Sequence, residues 1–185
     1  MATNKTKLLT AEDLLRLSSQ GVKGELIRGV LHETVSVGKV HGRIAMTFGG
    51  ALVGYVRPRR LGTVIGSDAG VLVQRNPDTV REPDIAYIST ERMSLEDQSD
   101  GYLEVPPELV VEIVSPSDRQ DAVNDKTLMW LSLGVLMVVE VYPAERAVMV
   151  HRSNTPAVTL TGEDMLDGGD VLPGFSLPLS EIFDP

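Results

Sequence analysis

The first regular pattern along the chain is amphipathic. Thr10-Ala11-Glu12-Asp13 has the form of a helix start, with Thr10 as N-cap and an acid three residues on, and it leads into Leu14, Leu15 and Leu17. Gly21 to Gly24 predicts a turn into a strand over 25–33, interrupted by Gly29. Val40, Ile44, Phe48, Leu52 and Tyr55 recur at helical spacing and predict a longer helix that begins near His41. Gly49, Gly50 and Gly54 each weaken that helix by about 1 kcal/mol relative to alanine, which points to close packing against a sheet. Short apolar or alternating runs at 62–67, 70–74 and 84–89, separated by turn residues, predict strands.

Leu109-Val110-Val111-Glu112-Ile113-Val114 is apolar on both faces, the pattern of a central strand covered from both sides. A helix over about 119–133, closed by Gly134, follows Ser115-Pro116-Ser117-Asp118. Residues 135–142 and 147–151 predict a hairpin around Pro143-Ala144-Glu145-Arg146, and the extended tail 172–179 ends in a short turn at 180–183. The expected fold is therefore mixed α/β (α+β): a mixed central sheet flanked by helices, with additional β-hairpins. No repeat or linker divides the 185 residues, so one domain is expected, with its ordered core at about 10–183.

Composition narrows the chemistry. The absence of cysteine excludes a disulfide framework, a thiolate metal site and a cysteine nucleophile. Residues 1–7 are polar and do not resemble a signal peptide, and the apolar stretch 44–56 is too short and glycine-rich to span a membrane. A cytoplasmic protein without a membrane partner is expected. The net charge of -9 argues at first against a nucleic-acid partner. It is unevenly spread, however: residues 1–60 carry ten Lys or Arg against four acids, and residues 61–185 carry seven against twenty-two.

Three residues stand out chemically. Glu112 interrupts an apolar strand, where a carboxylate is costly unless it is paired or holds a metal; the plainer alternative is a strand end reaching water. Asp84, in Arg81-Glu82-Pro83-Asp84-Ile85-Ala86-Tyr87, opens a strand and, taken alone, reads as turn chemistry. Lys126, the only lysine after Lys39, falls within the apolar helix face of Ala122, Met129, Trp130 and Leu133. It either snorkels outward or points into a polar pocket beside the carboxylates. Two carboxylates suit an oxygen-loving divalent ion such as Mg²⁺, with Mn²⁺ as a substitute. A lysine beside them can orient or deprotonate water and offset charge on phosphoryl oxygens. Phosphate-loop and nucleophile-elbow motifs are absent, and His32, His41 and His151 lack metal-ligand spacing.

With these residues in place, the chain from about 10 to 183 resembles the Uma family, a restriction-endonuclease-like branch of the PD-(D/E)XK nuclease superfamily. The resemblance is carried by Gly24-Glu25-Leu26-Ile27-Arg28-Gly29, the helix start at His41, Pro83 to Tyr87, Leu109 to Ser117, Asp125-Lys126, Trp130, Gly134-Val135 and Leu172-Pro173-Gly174-Phe175, in that order. It implies a restriction-endonuclease-like core and a Mg²⁺-dependent endonuclease acting on nucleic acid, DNA in the first instance. Asp84 and Glu112 would hold the metal, Lys126 would serve the water, and Glu25 would be a further acid of the site. The superfamily's usual lysine place, two residues after the second acid, is Val114 here; the Uma branch looks like one in which the lysine has moved to the following helix, which Lys126 fits. Val138-Val139 stands where the family usually has an aromatic pair, and Tyr142 where it usually has aspartate. His41 matches a family position, with capping or core packing as its plainer reading.

Arg57, Arg59 and Arg60, at the end of the second helix, either contact substrate phosphates or complement the helix dipole. A homodimer is the simplest way to cut two strands. The competing functions are a catalytically inactive module of the same fold, binding nucleic acid or protein, and a purely structural Glu112–Lys126 pair.

Overall fold

The structure, a computed structural model, describes residues 8–34 and 36–184; the polar segment 1–7 lies outside them. Helix α1 (Ala11–Ser18) starts as its sequence predicts, with Thr10 Oγ1 accepting from Asp13 N–H and Asp13 accepting from Thr10 N–H. The expected strand over 25–33 is instead a hairpin of β1 (Gly24–Ile27) and β2 (Val30–Glu33). Arg28 and Gly29 both take positive φ (50° and 79°), the two-residue turn whose twist matches antiparallel strands. Gly29 therefore closes a hairpin rather than interrupting one strand.

Helix α2 (Lys39–Arg59) follows, beginning two residues before His41. Then come β3 (Gly62–Gly66), β4 (Val71–Gln74), β5 (Thr79–Arg81), β6 (Ile85–Ser89) and β7 (Leu109–Ile113). Helix α3 (Gln120–Ser132) leads to β8 (Met137–Tyr142), β9 (Ala147–Arg152), β10 (Val158–Thr161), β11 (Met165–Asp167), β12 (Ser176–Pro178) and α4 (Leu179–Phe183). The short turn expected at 180–183 is thus the body of α4.

The main sheet has six strands in the order β10-β9-β8-β7-β6-β3. Only β7 and β8 run parallel, joined over the sheet by α3; every other pairing is antiparallel. Strand alternation then assigns the two faces. Ile85, Tyr87, Val111, Ile113, Val139 and Val141 pack under Ile44, Phe48, Leu52 and Val56 of α2. On the opposite face Ala86, Val110 and Val138 pack against Trp130 and Val135. All five residues of β7 are buried, as expected for a strand covered on both sides. Because Glu112 alternates with Val111 and Ile113, its carboxylate must emerge under α3. The alternative of a strand end reaching water is excluded, since Glu112 is only 8% exposed.

A smaller sheet, β2-β1-β5-β4, packs Leu26 and Val80 against Ala11 and Leu14 of α1. It brings β1 and the segment after β5 to the edge of the cleft over β6 and β7.

Candidate active site

Ile85 pairs with Val111 in the β6–β7 ladder, so the residue before β6, Asp84, stands beside Glu112. The Ile113 N–H donates to Asp84 Oδ2 at 2.7 Å, which turns that carboxylate toward the end of β7. His41, in the first turn of α2, places Nε2 3.2 Å from the same oxygen. That contact raises the His41 pKa against the opposing effect of burial. Its Nδ1 is buried without a hydrogen-bond partner among the described residues.

Lys126 projects from α3 into the same space rather than snorkelling outward. Its Nζ donates to Glu112 Oε2 at 2.8 Å and to the Glu82 carbonyl at 3.2 Å, and lies 3.3 Å from Glu25 Oε1. One helical turn on, Trp130 Nε1 donates to Glu112 Oε1 at 2.8 Å. Glu25, on β1, also accepts from the Glu82 N–H at 2.9 Å and lies 3.2 Å from Arg81 Nε. Five residues from five separate segments thus converge: Glu25, His41, Asp84, Glu112 and Lys126. They share a cleft of about 890 Å³ whose walls include Lys23, Asp68, Glu82, Ser115, Ser117 and Asp118.

The electrostatics follow from burial. Removal from water pushes Glu112 up to about 7; Lys126 and the Trp130 hydrogen bond oppose the rise, while the nearby Asp84 charge adds to it. For Lys126 burial disfavours charge, but the Glu112 and Glu25 carboxylates outweigh it and the pKa is raised. Glu82 is raised by burial and by the charge of Glu25. The centre is therefore short of positive charge, with Lys126 held as an ammonium.

Arg57, Arg59 and Arg60 do not line this cleft. They lie at the other end of α2, about 24 Å from His41 along the helix axis. Arg59 stacks over the Tyr55 ring at 4.0 Å and donates to the Tyr55 carbonyl, while Arg60 is the left-handed C-cap. Arg119 and Asp121 form an exposed ion pair with each other.

Two further residues belong to this centre and carry no expectation from the sequence: Glu82, whose backbone serves both Glu25 and Lys126, and a second buried carboxylate, Glu140. Glu140 Oε1 accepts from Thr127 Oγ1 and Oε2 from Tyr142 OH, both at 2.6 Å. Tyr142, which stands where the resemblance leads one to expect aspartate, is pushed up to about 12 by burial and by donating to Glu140. The signal was available: Glu140 interrupts Met137-Val138-Val139-Glu140-Val141 as Glu112 interrupts its own strand.

The main sheet, its α3 crossover and the two flanking helix layers define a nuclease-like α/β fold. The chain matches the Uma2 family, described as "Putative restriction endonuclease", over residues 11–180, and it belongs to that family. In fold it is similar to the crystal structure of "a putative nuclease belonging to DUF820" from Anabaena variabilis. The two share 19% identity over 95% of this chain and 97% of that one, with a TM-score of 0.79. No curated protein matches the chain. Among the described residues no helix is long and apolar enough to cross a membrane.

Proposed function

We propose that the chain is a single-domain, divalent-metal-dependent endonuclease that hydrolyses phosphodiester bonds of nucleic acid, DNA in the first instance. The observation that carries this reading is the convergence of Asp84, Glu112 and Lys126 at the mouth of one cleft, on a fold and in a family of nuclease type.

The donor set fits a hard cation. Two carboxylates press on each other electrostatically, and burial holds Glu112 near 7, so a positive charge between them relieves both effects. Among the described residues no group of three or more His, Cys, Asp and Glu side chains can hold a metal. Mg²⁺ and Mn²⁺ keep several water ligands and need only one or two carboxylates, the number that Asp84 and Glu112 supply. When bound, such an ion polarises a phosphoryl oxygen and acidifies its water. Asp84 and Glu112 would hold it. The remaining chemistry belongs to the chain. Lys126, as an ammonium, orients the attacking water and offsets charge on the phosphoryl oxygens. Its raised pKa favours this part over proton abstraction. Glu25 keeps that ammonium charged and aimed, and His41 holds Asp84.

A second reading has its own support: both Glu112 oxygens are already engaged, by Trp130 and Lys126. On that reading the pair is structural and the protein is an inactive binding module. Supercoiled plasmid incubated with Mg²⁺ or Mn²⁺ separates the two. The nuclease reading expects nicking that EDTA stops and that Asp84→Asn, Glu112→Gln and Lys126→Met each reduce by at least about 100-fold. Cleavage that survives all three substitutions, or no cleavage with either metal, overturns it. A dimer with two such sites would cut both strands, and analytical ultracentrifugation of the active protein checks this.

A further inference from the structure

Helix α3 carries more than Lys126. Its sheet side is fastened at two levels. At the first, Lys126 and Trp130 hold the two oxygens of Glu112. At the second, Glu140 accepts from Thr127 and Tyr142, and Gln120 Nε2 donates to the same Tyr142 hydroxyl at 3.1 Å. His151 Nε2 stands 3.2 Å from Glu140 Oε1. Glu112 and Glu140 are register partners in the parallel β7–β8 ladder. Two buried glutamates therefore stand on adjacent strands under one helix, their backbones about 4.8 Å apart as strands are spaced.

A carboxylate 1% exposed within an otherwise apolar strand is an expensive way to pack a helix. Its use lies in direction. Apolar contacts tolerate rotation and sliding, whereas a satisfied hydrogen-bond network accepts one geometry. Only Thr127 and Trp130 are fully buried along the thirteen residues of α3, with Met129 and Leu131 partly buried against the core, so the hydrogen bonds to Glu112 and Glu140 carry much of its orientation. Thr127 is the neighbour of Lys126. A helix seated with Thr127 on Glu140 has the direction of Lys126 decided.

We propose that Glu140 is a positioning residue for Lys126, acting through Thr127 directly and through Tyr142 on Gln120. This rests on the part given to Lys126 under Proposed function. Glu140 does not touch the reacting atoms; it fixes the helix that delivers the ammonium to Glu112 and Glu25.

The sole tryptophan makes the seating visible apart from activity, because Trp130 lies on α3 with its N–H on Glu112. Thr127→Val removes the hydroxyl at nearly constant volume, Thr127→Ser restores it, and Glu140→Gln keeps the shape. The measurements are Trp130 near-UV circular dichroism and acrylamide quenching, with steady-state kinetics of plasmid nicking in Mg²⁺. Assays run well below each variant's melting temperature. The expected result is a changed Trp130 signature in Thr127→Val and Glu140→Gln, with kcat lowered about 10- to 100-fold, KM nearly unchanged, and both restored in Thr127→Ser. The proposal is overturned if both variants keep the wild-type Trp130 signature, or if the signature changes while kcat stays within about twofold. Wild-type protein that cuts nothing overturns the nuclease reading itself, and with it the positioning for catalysis. Active wild type with unaffected variants overturns the positioning alone.

Discussion

Replacing Lys126 with methionine tests the electrostatics of the cleft without any assumption about substrate. The side chain keeps its length and loses its charge, leaving Glu112 under α3 with only the Trp130 N–H as a partner. In the intact protein burial already lifts Glu112 from its ordinary 4.5 to about 7 although Lys126 opposes the rise. That gap corresponds to roughly 3 kcal/mol against the ionised form. Removing the ammonium adds to it, and breaking one side of a buried ion pair costs about 3–5 kcal/mol when the remaining charge cannot escape. Here it escapes by protonation. A carboxyl with a raised folded pKa contributes stability below its unfolded value and loses it as pH rises through the folded value. The penalty of Lys126→Met is therefore expected to be small, about 1 kcal/mol or less, near pH 5.5, where Glu112 is neutral. It grows to about 3 kcal/mol near pH 9, two pH units above the wild-type value at about 1.4 kcal/mol each. Urea denaturation followed by far-UV circular dichroism at several pH values measures it. A penalty that is the same at pH 5.5 and pH 9 would refute the reasoning. The double variant Lys126→Met/Glu112→Gln should recover most of the loss at high pH.

Other consequences can be measured independently. The metal reading expects Mg²⁺ or Mn²⁺ to raise the melting temperature of the wild-type protein in differential scanning fluorimetry and Asp84→Asn to abolish that rise; no rise in the wild type, or an unchanged rise in the variant, would refute Asp84 as a metal ligand. Asp78 accepts from the Ala11 N–H at 2.9 Å and so caps α1 from across the fold, and Asp78→Ala should cost about 1–2 kcal/mol in urea denaturation. The hydrogen bonds from the Ala11 and Asn76 backbone lower the Asp78 pKa. Its contribution is thus present above pH 4 and lost as the pH falls through the folded value, so the variant's acid-unfolding profile should flatten there. Gly62→Ala should destabilise strongly or prevent folding, because a Cβ there would lie 2.0 Å from the Ile88 carbonyl oxygen of the paired strand; soluble, normally stable protein would contradict the β3–β6 register.

Much of this architecture is legible in one-dimensional pattern. An apolar run broken by a single carboxylate located β7 and Glu112 together, because burial on both faces leaves no other reason for that composition. Thr10 and Asp13 announced α1 through local chemistry that needs no tertiary partner. The two-residue turn at Arg28-Gly29 was hidden because its strands are only four residues each, too short for alternation to separate a hairpin from one interrupted strand. β5, at three residues, carries no period at all. The convergence of Glu25 and His41 on Asp84 and Lys126 depends on how the small sheet and the start of α2 meet the main one, which local spacing does not encode. Glu140 could have been read by the rule that singled out Glu112. Only the fold sets the two strands side by side, so its partnership with Glu112 is not encoded locally.

The length of α2 has a consequence in nucleic-acid units. His41 marks the cleft end and Arg57 opens the arginine end, about 24 Å away along the helix. At 3.4 Å per step that span equals about seven base pairs of duplex. On the nuclease reading, a duplex laid along the helix with its scissile phosphate at Asp84 would meet the arginines most of a helical turn away. Substrates that end fewer than about seven base pairs from the cut could engage the cleft but not the arginines.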